Sequence, residues 1–393
     1  MNYVELFKQH KVVRDLSLVQ LIVYFATWFS NVAIYTLLVK FGSSELAIAT
    51  VTAMHFLPAV LISVFSGAII DRFDIKKLMY IVLSIELAMT LLLLTIDEPS
   101  EIWILMLLIF IRMSASTMFF STEMTLLTKL LKGEALQKAN EIHSIIWSFT
   151  YAAGMAVSAV IVNEFGIYTA FVVDASFFVI ALIIFSRITF EFKINESKHK
   201  IRKLIVDGFI YIKSNKIIIQ LIILHASVGL TSFDAIVTLL AKNEYKYVIA
   251  VPLAIGMSNA IRAVALMIGP FVISKYLNKN NLHYLLLFQG ISIILWSFMQ
   301  FNFYLALIAL FMVGLFTTSL WSFTYSLLQE KCDEEYIGRV ISYNDMFFML
   351  TCALTTFVIG ILANYISLAM ITALLGIGFI MFAIYYKRIL KWI

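Results

Sequence analysis

Several ionisable side chains lie inside long apolar stretches of the sequence, and four of them are candidates for moving charge. They are Glu86, Arg112, Asp234 and Arg262. A charge near the middle of a bilayer costs a few kcal/mol or more, so each such residue marks a candidate functional site. A carboxylate in that setting can take up and release a proton, and a guanidinium can hold a carboxylate or another polar partner. We therefore expect these four residues to bind or move charge.

Purely structural roles compete with this interpretation. Arg112 and Glu86 could form a buried ion pair that only holds helices together, and Asp234 could be a solvated charge at the mouth of a cavity. If Asp234 instead lines a water-filled space, Arg262 on the next span would oppose its protonation. Release of that arginine on arrival of a proton or a ligand would then act as a switch. The sequence leaves these alternatives open.

The composition places these residues in a membrane protein. Of the 393 residues, 62% are hydrophobic and 13% are charged, whereas a soluble domain carries about 25% charged residues. The two cysteines and six histidines show no metal-ligand spacing, and there is no glycine-rich phosphate loop. We expect no metal, no cofactor and no ATP hydrolysis. The net charge of +5 follows membrane topology, so nucleic acid is not an expected partner.

Twelve apolar runs are long enough to cross a bilayer, which takes about 20 residues. Their apolarity is continuous and lacks the two-residue alternation of a membrane β-barrel. The predicted fold class is therefore an all-α polytopic membrane protein in a lipid bilayer. The runs cover residues 16–40, 46–70, 78–96, 102–126, 142–162, 167–187, 217–241, 247–273, 283–300, 303–327, 341–363 and 367–386.

The basic residues predict the orientation of the spans. With the N-terminus in the cytoplasm, 24 of the 29 lysines and arginines fall in interior segments, as the positive-inside rule requires. Both termini are then cytoplasmic, and we expect a multi-pass protein of a bacterial inner membrane.

A polar linker divides the chain into two halves. Residues 189–216 separate six spans in 1–188 from six spans in 217–393. Short segments recur at an offset of roughly 200 residues, which is typical of transporters built from two parallel repeats. For example, the first span ends with Leu-Leu-Val-Lys at residues 37–40, and the seventh ends with Leu-Leu-Ala-Lys at 239–242.

The loop between the second and third spans carries the most specific local pattern. Gly67 is followed by Asp71 and Arg72, and then by Lys76 and Lys77. This spacing resembles the G-x-x-x-D-R-x-x-x-R/K loop of the major facilitator superfamily. Together with twelve spans in two pseudo-symmetric six-helix bundles, the resemblance covers essentially the whole chain. It implies that the loop helps to lock a gate on the cytoplasmic side, although an ordinary basic loop would have a similar composition.

The resemblance also implies roles for residues outside this loop. Glu123, near the inner end of the fourth span, would pair with Arg72 or Lys76 at the gate. Arg112 resembles an arginine of the fourth span that faces the central cavity in this family. Asp74 stands where the family often has glycine, so the turn departs from the usual pattern.

Two further segments resemble the macrolide-efflux and enterobactin-exporter branch of that superfamily, which includes drug:proton antiporters. They are Leu-Gln-Lys-Ala-Asn at residues 136–140 and Gly-Arg-Val-Ile-Ser at 338–342. The span-five antiporter pattern G-x-x-x-G-P-x-x-G-G is degenerate here. Gly154 is followed by methionine instead of proline, and a Ser-Ala pair at 158–159 replaces the two glycines. The argument for outward antiport is weaker for that reason.

Spans 1, 4, 7 and 10, here called the central spans, line the cavity in the family that the chain resembles, so their side chains are candidates for a substrate cavity. The aromatic rings among them could stack on an amphipathic molecule and attract a cation, although helix packing uses the same residues. The candidates are Trp28, Asn31, Phe119, Phe233, Trp321 and Tyr325.

The sequence thus predicts a monomeric secondary transporter that works by alternating access. The leading hypothesis is proton-coupled export of amphipathic small molecules, such as a drug or a siderophore-like compound. An importer or a lipid flippase of the same fold is the alternative within transport. An integral membrane enzyme should show clustered catalytic groups at one membrane face, and a sensor should carry a soluble signalling segment. Neither feature is found in the sequence, so we expect no enzymatic activity.

Overall fold

The computed structural model describes residues 3–70, 72–189 and 201–392. Within these ranges the chain is helical without strands, and twelve segments are long and apolar enough to cross a membrane. The predicted fold class and number of spans are confirmed. Spans 1 to 12 are Lys11–Lys40, Glu45–Ser63, Ile75–Thr95, Pro99–Leu130, Gly133–Phe165, Ile167–Ser186, Lys216–Tyr245, Val251–Tyr276, Leu282–Met299, Phe303–Lys331, Ile337–Leu362 and Leu368–Trp392.

Several spans are longer than the apolar runs that predicted them. Span 5 begins at Gly133, nine residues before the predicted start at residue 142, and span 10 ends at Lys331 instead of residue 327. At about 1.5 Å per residue, the 33-residue helix of span 5 is longer than the roughly 30 Å hydrocarbon core. Hydropathy detects the part of a helix that lies in the hydrocarbon, so the polar turns at the ends of these helices were not predicted.

Side-chain caps fix several span boundaries. The backbone N–H of Lys77 donates to the carboxylate of Asp74 at 2.8 Å, so this aspartate is the N-cap of span 3. Ser44 caps span 2 and Asn302 caps span 10 in the same way. The aspartate that departs from the family's loop pattern therefore satisfies a free N–H at the start of a helix.

The two sets of six spans pack in the same pattern. Spans 1 and 5, 2 and 4, 3 and 4, and 3 and 6 are in contact, and so are the corresponding pairs 7 and 11, 8 and 10, 9 and 10, and 9 and 12. Tyr24 bonds to Glu123 across 99 residues, and His225 bonds to Thr324 across 99 residues as well. The two bonds are offset by 201 positions, which places the repeat in register.

Glycines bring the two halves together at the end of the molecule that lies opposite the basic loops. Because consecutive spans alternate in direction, the loops at 72–74, 131–132, 277–281 and 332–336 share one end, here called the basic end. At the opposite end, Gly256 on span 8 meets Ala159 and Met155 on span 5, and Gly360 on span 11 meets Ala49 on span 2. A Cβ atom added at Gly256 would lie 2.2 Å from the Cβ of Ala159. These crossings depend on the absence of a side chain.

The described part of the linker forms the helix Ile201–Ser214, which lies against the start of span 11. Tyr211 stacks on Tyr336 with ring centroids 4.2 Å apart, and the hydroxyl of Tyr343 donates to the carbonyl of Ile205 at 3.1 Å. Residues 190–200 of the predicted linker lie outside the described residues.

We predict that Gly256→Ala weakens closure of the opposite end, because the new methyl group cannot fit against Ala159. The assay uses a cysteine-free background that carries Ser158→Cys, a buried position on span 5. Maleimide labelling of this cysteine should be about fivefold faster with Gly256→Ala, which corresponds to a population shift of about 1 kcal/mol. The matched control is Gly338→Ala, since a Cβ there would meet no atom within 4 Å. Equal labelling rates in both variants would contradict the close-crossing argument.

Candidate functional site

Span 7 is broken near its middle. The helix Lys216–Ala226 gives way to a short 3₁₀ turn over Ser227–Thr231, and helix resumes at Asp234–Leu240. A break within lipid leaves backbone carbonyls without helical partners, and such breaks persist only where the protein supplies new ones. Arg262 on span 8 donates from its Nη2 to the carbonyl oxygen of Thr231 at 2.7 Å. The break is therefore closed by a buried guanidinium.

The same arginine links the two halves. Its Nη1 donates to the hydroxyl oxygen of Tyr151 on span 5 at 3.3 Å, and that hydroxyl donates to Oδ1 of Asn259 on span 8 at 3.4 Å. The Arg262 guanidinium also lies 5.2 Å from the ring centre of Phe233. Tyr151 in turn packs on Trp28, with ring centroids 4.2 Å apart. These contacts form a network that we call the Tyr151 network, consisting of Tyr151, Asn259, Arg262 and Thr231.

Asp234 begins the second helical part of span 7, three residues after the carbonyl that Arg262 binds. Its side chain is half-buried, it lies within electrostatic range of Arg262, and it makes no ion pair with any described residue. The predicted association of the two residues is thus electrostatic rather than a direct contact. The two Nη atoms of Arg262 donate instead to Tyr151 and to the carbonyl oxygen of Thr231.

Arg112 points away from solvent. Its Nη2 lies 3.0 Å from Oδ2 of Asp174 on span 6, and both side chains are at most 2% exposed. The guanidinium also donates to the hydroxyl of Ser30 and lies over the ring of Phe178 at 5.5 Å. The alternative of a buried ion pair for Arg112 thus fits the structure, with Asp174 on span 6 as the partner instead of Glu86.

Glu86 lies behind this pair on span 3. It is fully buried, and neither of its carboxylate oxygens has a hydrogen-bond partner among the described residues. It is within electrostatic range of Arg112 and Asp174. Arg112 is therefore the nearby positive charge for two buried carboxylates in the scaffold of the N-terminal half.

Glu123 belongs to a second buried cluster, which includes a histidine that sequence reasoning did not select. Tyr24 donates its hydroxyl to Oε2 of Glu123 at 3.2 Å, and Nδ1 of His143 lies 3.7 Å from Oε1. Gln20 contacts the same ring nitrogen of His143 at 2.6 Å. The sequence signal for His143 is its position at the polar start of the predicted fifth span, 142–162.

The predicted gate residues are spread along the turn between spans 2 and 3. Gly67 lies in the helix Leu57–Ile70, Arg72 and Lys77 are exposed, and Lys76 is half-buried. Asp71 lies outside the described residues. The Glu123 carboxylate contacts Tyr24 and His143 instead of Arg72 or Lys76, so the expected pairing is not formed here. The gating role of the loop stays a prediction.

The predicted cavity residues fall into two groups. Phe119 and Phe233 are at most 1% exposed, and Phe233 packs edge-on against Trp296. These two rings belong to the core and are not accessible to a ligand in this conformation. Asn31 is also buried and bonds to Nε2 of His55 at 3.0 Å.

The other three predicted cavity residues are accessible. Trp28 is half-buried beside Tyr151, Tyr325 is half-buried, and Trp321 is 36% exposed. Trp321 and Tyr325 stack on one another with ring centroids 4.9 Å apart. Their role in a substrate cavity stays a prediction.

Comparison with known proteins decides the family. A family model for the Major Facilitator Superfamily matches residues 16–356. The chain belongs to this superfamily. Over 229 residues it is 28% identical to Uncharacterized MFS-type transporter YkuC of Bacillus subtilis (strain 168), an alignment that covers 56% of this chain. The chain spans about half the length of that relative, 53%.

Other superfamily members extend the comparison over most of the chain. Macrolide efflux protein A of Streptococcus pyogenes is 22% identical over 329 residues, which cover 79% of each chain. The crystal structure of nucleoside transporter NupG superposes with a TM-score of 0.78 at 13% identity and covers 97% of this chain and 99% of that chain. At this identity the structural likeness establishes the superfamily fold alone. This chain is accordingly a superfamily transporter with a multi-pass helical membrane fold.

We predict that the Arg112–Asp174 pair stabilises the fold. Arg112→Gln should lower the free energy of unfolding by about 3–5 kcal/mol, because it leaves buried carboxylates without a counter-ion. Adding Asp174→Asn should restore part of that loss, and a double-mutant cycle in detergent micelles measures the coupling. Arg14→Gln is the control, since the Arg14–Asp15 pair is exposed and worth about 0–1 kcal/mol. Additive losses in the cycle would contradict the pairing.

We predict that Tyr151→Phe shifts the protein away from the conformation described here. The substitution removes one hydroxyl that joins spans 5 and 8, a loss of about 0.5–1.5 kcal/mol per hydrogen bond. Spin labels at the exposed positions Glu98 and Tyr247 should show a larger fraction of long distances between the halves. Tyr168→Phe is the control, because that hydroxyl bonds to Ile96 within the N-terminal half. Identical distance distributions in wild type and Tyr151→Phe would rule out the bridge.

Proposed function

We propose that this protein exports amphipathic small molecules from the cytoplasm by alternating access, driven by a proton gradient. The observation that carries the proposal is the broken span 7, where Asp234 lies beside an arginine that holds the two halves together. Broken helices and ionisable residues at the interface of two repeats are typical of substrate and coupling sites in secondary transporters. The relatives named for macrolide efflux favour export over import.

The state described here is the one that receives substrate from the basic end. The halves are joined at the opposite end by the glycine crossings and by Lys242, whose Nζ bonds to the carbonyl of Ser43 at 2.7 Å and lies 3.3 Å from the carboxylate of Glu45. Towards the basic end, Phe120, Trp321 and Ser322 on the central spans are exposed. Since the basic end is the predicted cytoplasmic side, a cytoplasmic molecule could enter between the halves.

Protonation of Asp234 would change the Tyr151 network through Arg262. When the carboxylate is neutral, the guanidinium is free to bind Thr231 and Tyr151, and the opposite end stays closed. When the carboxylate is ionised, it competes for the guanidinium and weakens the link between the halves. A group whose interaction free energy differs between the two states shifts their populations by an amount that this free-energy difference sets. Proton release towards the basic end would thus favour opening of the opposite end.

The gate at the basic end completes the cycle. We propose that Gly67, Asp71, Arg72, Lys76 and Lys77 close this end when the opposite end opens. Glu123 would then act at the base of the gate through Tyr24 and His143. Arg112 serves the mechanism by keeping spans 1, 4 and 6 together, so that the N-terminal half moves as a body.

The wider arrangement follows the sequence prediction. The protein would be a monomer in the inner membrane, with both termini in the cytoplasm and bundles 1–188 and 217–393 joined by the linker 189–216. Its partners would be a small-molecule substrate, protons and lipid.

We predict that Asp234→Asn uncouples proton flow from transport. In proteoliposomes, the variant should lose substrate-induced pH change and proton-driven accumulation by at least about tenfold, the change expected when about 1.4 kcal/mol of coupling is lost. It should retain exchange of labelled for unlabelled substrate, because the exchange needs no net proton movement. Asp333→Asn, an exposed residue in a loop, is the matched control.

Three outcomes would contradict this proposal. Unchanged proton flux in Asp234→Asn would remove this residue from coupling. Accumulation that runs opposite to the direction of export in vesicles of known orientation would favour the importer. Scrambling of labelled lipid without accumulation of a soluble substrate would favour the flippase.

A further inference from the structure

The C-terminal half contains an aromatic cluster around a buried histidine. The ring of His225 on span 7 lies 5.4 Å from Trp321, 5.4 Å from Tyr325 and 5.5 Å from Phe348, measured between centroids. Trp321 and Tyr325 are nearly parallel, with 20° between their planes. Because Trp321 is 36% exposed, one face of this cluster is available to a ligand.

A carboxylate lies beside the cluster without a basic partner. Asp345 precedes Phe348 by three residues on span 11, so both side chains lie on the same face of the helix. Asp345 is half-buried, and its Oδ1 accepts only a long 3.5 Å bond from Asn344. It interacts electrostatically with Tyr325 and forms no ion pair with any described residue.

The other acids in the spans have different surroundings. Asp174 pairs directly with Arg112, and Asp234 lies within range of Arg262. The basic side chain nearest to Asp345 on its own helix is Arg339, which lies over the ring of Tyr336 at 4.9 Å. Asp345 therefore combines partial exposure and aromatic neighbours with no ion pair to any described residue.

The equivalent positions of the N-terminal half carry different groups. At an offset of 201 residues, Phe120 corresponds to Trp321, Tyr24 to His225 and Glu123 to Thr324. There Glu123 is 1% exposed, and its carboxylate accepts a hydrogen bond from the hydroxyl of Tyr24. The equivalent of Asp345 at this offset is Ser144, so the combination of this carboxylate with Trp321 belongs to the C-terminal half.

We infer that Asp345, Trp321, Tyr325 and Phe348, with His225 behind them, form a binding site for a lipophilic organic cation. A carboxylate in a poorly solvated place is stabilised by a positive charge, and the faces of tryptophan and tyrosine attract cations while contacting apolar groups. An amine, a quaternary ammonium or a phosphonium with a hydrophobic body satisfies both requirements. This inference rests on the proposed export function and names its substrate class.

Binding of tetraphenylphosphonium to the purified full-length protein in detergent micelles tests the site. Triphenylphosphine oxide serves as the neutral ligand of similar shape, and equilibrium dialysis gives both dissociation constants. The cation should bind at least about tenfold more tightly than the neutral ligand, and Asp345→Asn should abolish that preference. Trp321→Leu should weaken binding of both ligands by about fivefold or more, because it removes the stacking surface.

Two further variants control for loss of fold and for general charge effects. Asp345→Glu should retain the preference for the cation, and Asp333→Asn, in an exposed loop of the same half, should bind like wild type. Thermal melting of each variant verifies its fold. If Asp345→Asn does not fold, loss of binding in Trp321→Leu with retention in Asp345→Glu still supports the site.

Three results would overturn the inference. The first is equal affinity of wild type for the two ligands, including the absence of binding. The second is unchanged cation affinity in Asp345→Asn, and the third is loss of the preference in Asp234→Asn while Asp345→Asn retains it. Export of a neutral amphipathic substrate by the same preparation would show that the proposed function survives any of these results. Tight cation binding without transport would instead count against the proposed function alone.

Discussion

Polar groups in the membrane-crossing part of this protein have to be satisfied inside the protein, because the hydrocarbon offers no hydrogen bonds. This constraint is clearest at span 7, where a helix break frees the carbonyl of Thr231. Arg262 supplies the missing donor at 2.7 Å. Without a buried guanidinium at this height the break would be costly, and without the break Asp234 would not begin a new helix between the two halves.

The same constraint separates fixed charges from movable ones. The partners of Arg112 are Ser30 and Asp174, which both belong to the N-terminal half, so a movement of one half against the other leaves its contacts intact. Arg262 reaches Tyr151 in the other half, so its contacts have to change when the halves separate. Burial alone does not distinguish these two arginines. The half to which each partner belongs does.

The fold was largely predictable from the sequence, and the pairing of buried charges was not. Twelve continuous apolar runs are a one-dimensional signal, and they predicted the twelve spans that the structure shows. The orientation indicated by the basic residues and the division into 1–188 and 217–393 stay predictions. The partner of Arg112 depends on the relative height and rotation of spans 3, 4 and 6, which hydropathy does not encode. Asp174 and Glu86 are therefore equivalent in the sequence and distinct in the structure.

Helix rotation decides which of the predicted aromatic cavity residues are accessible. Phe119, Phe233, Trp321 and Tyr325 are all ring residues on central spans, yet only the last two are accessible. Rotation of a helix by one residue turns a side chain by about 100°, so membership of a central span does not determine which rings face inwards. His143 and Asp345 were missed because each begins to matter only when a neighbouring span is placed beside it.

The position of Asp174 in the chain also bears on how the protein enters the membrane. Arg112 is synthesised 62 residues before Asp174, and translation proceeds at about 5–20 residues per second. Span 4 therefore reaches the insertion machinery roughly 3–12 s before its counter-ion exists. Ser30 is already present by then, 82 residues earlier in the chain. Until span 6 is made, Ser30 on span 1 and the carboxylate of Glu86 on span 3 are the groups available to the guanidinium, and the arrival of Asp174 completes this buried set.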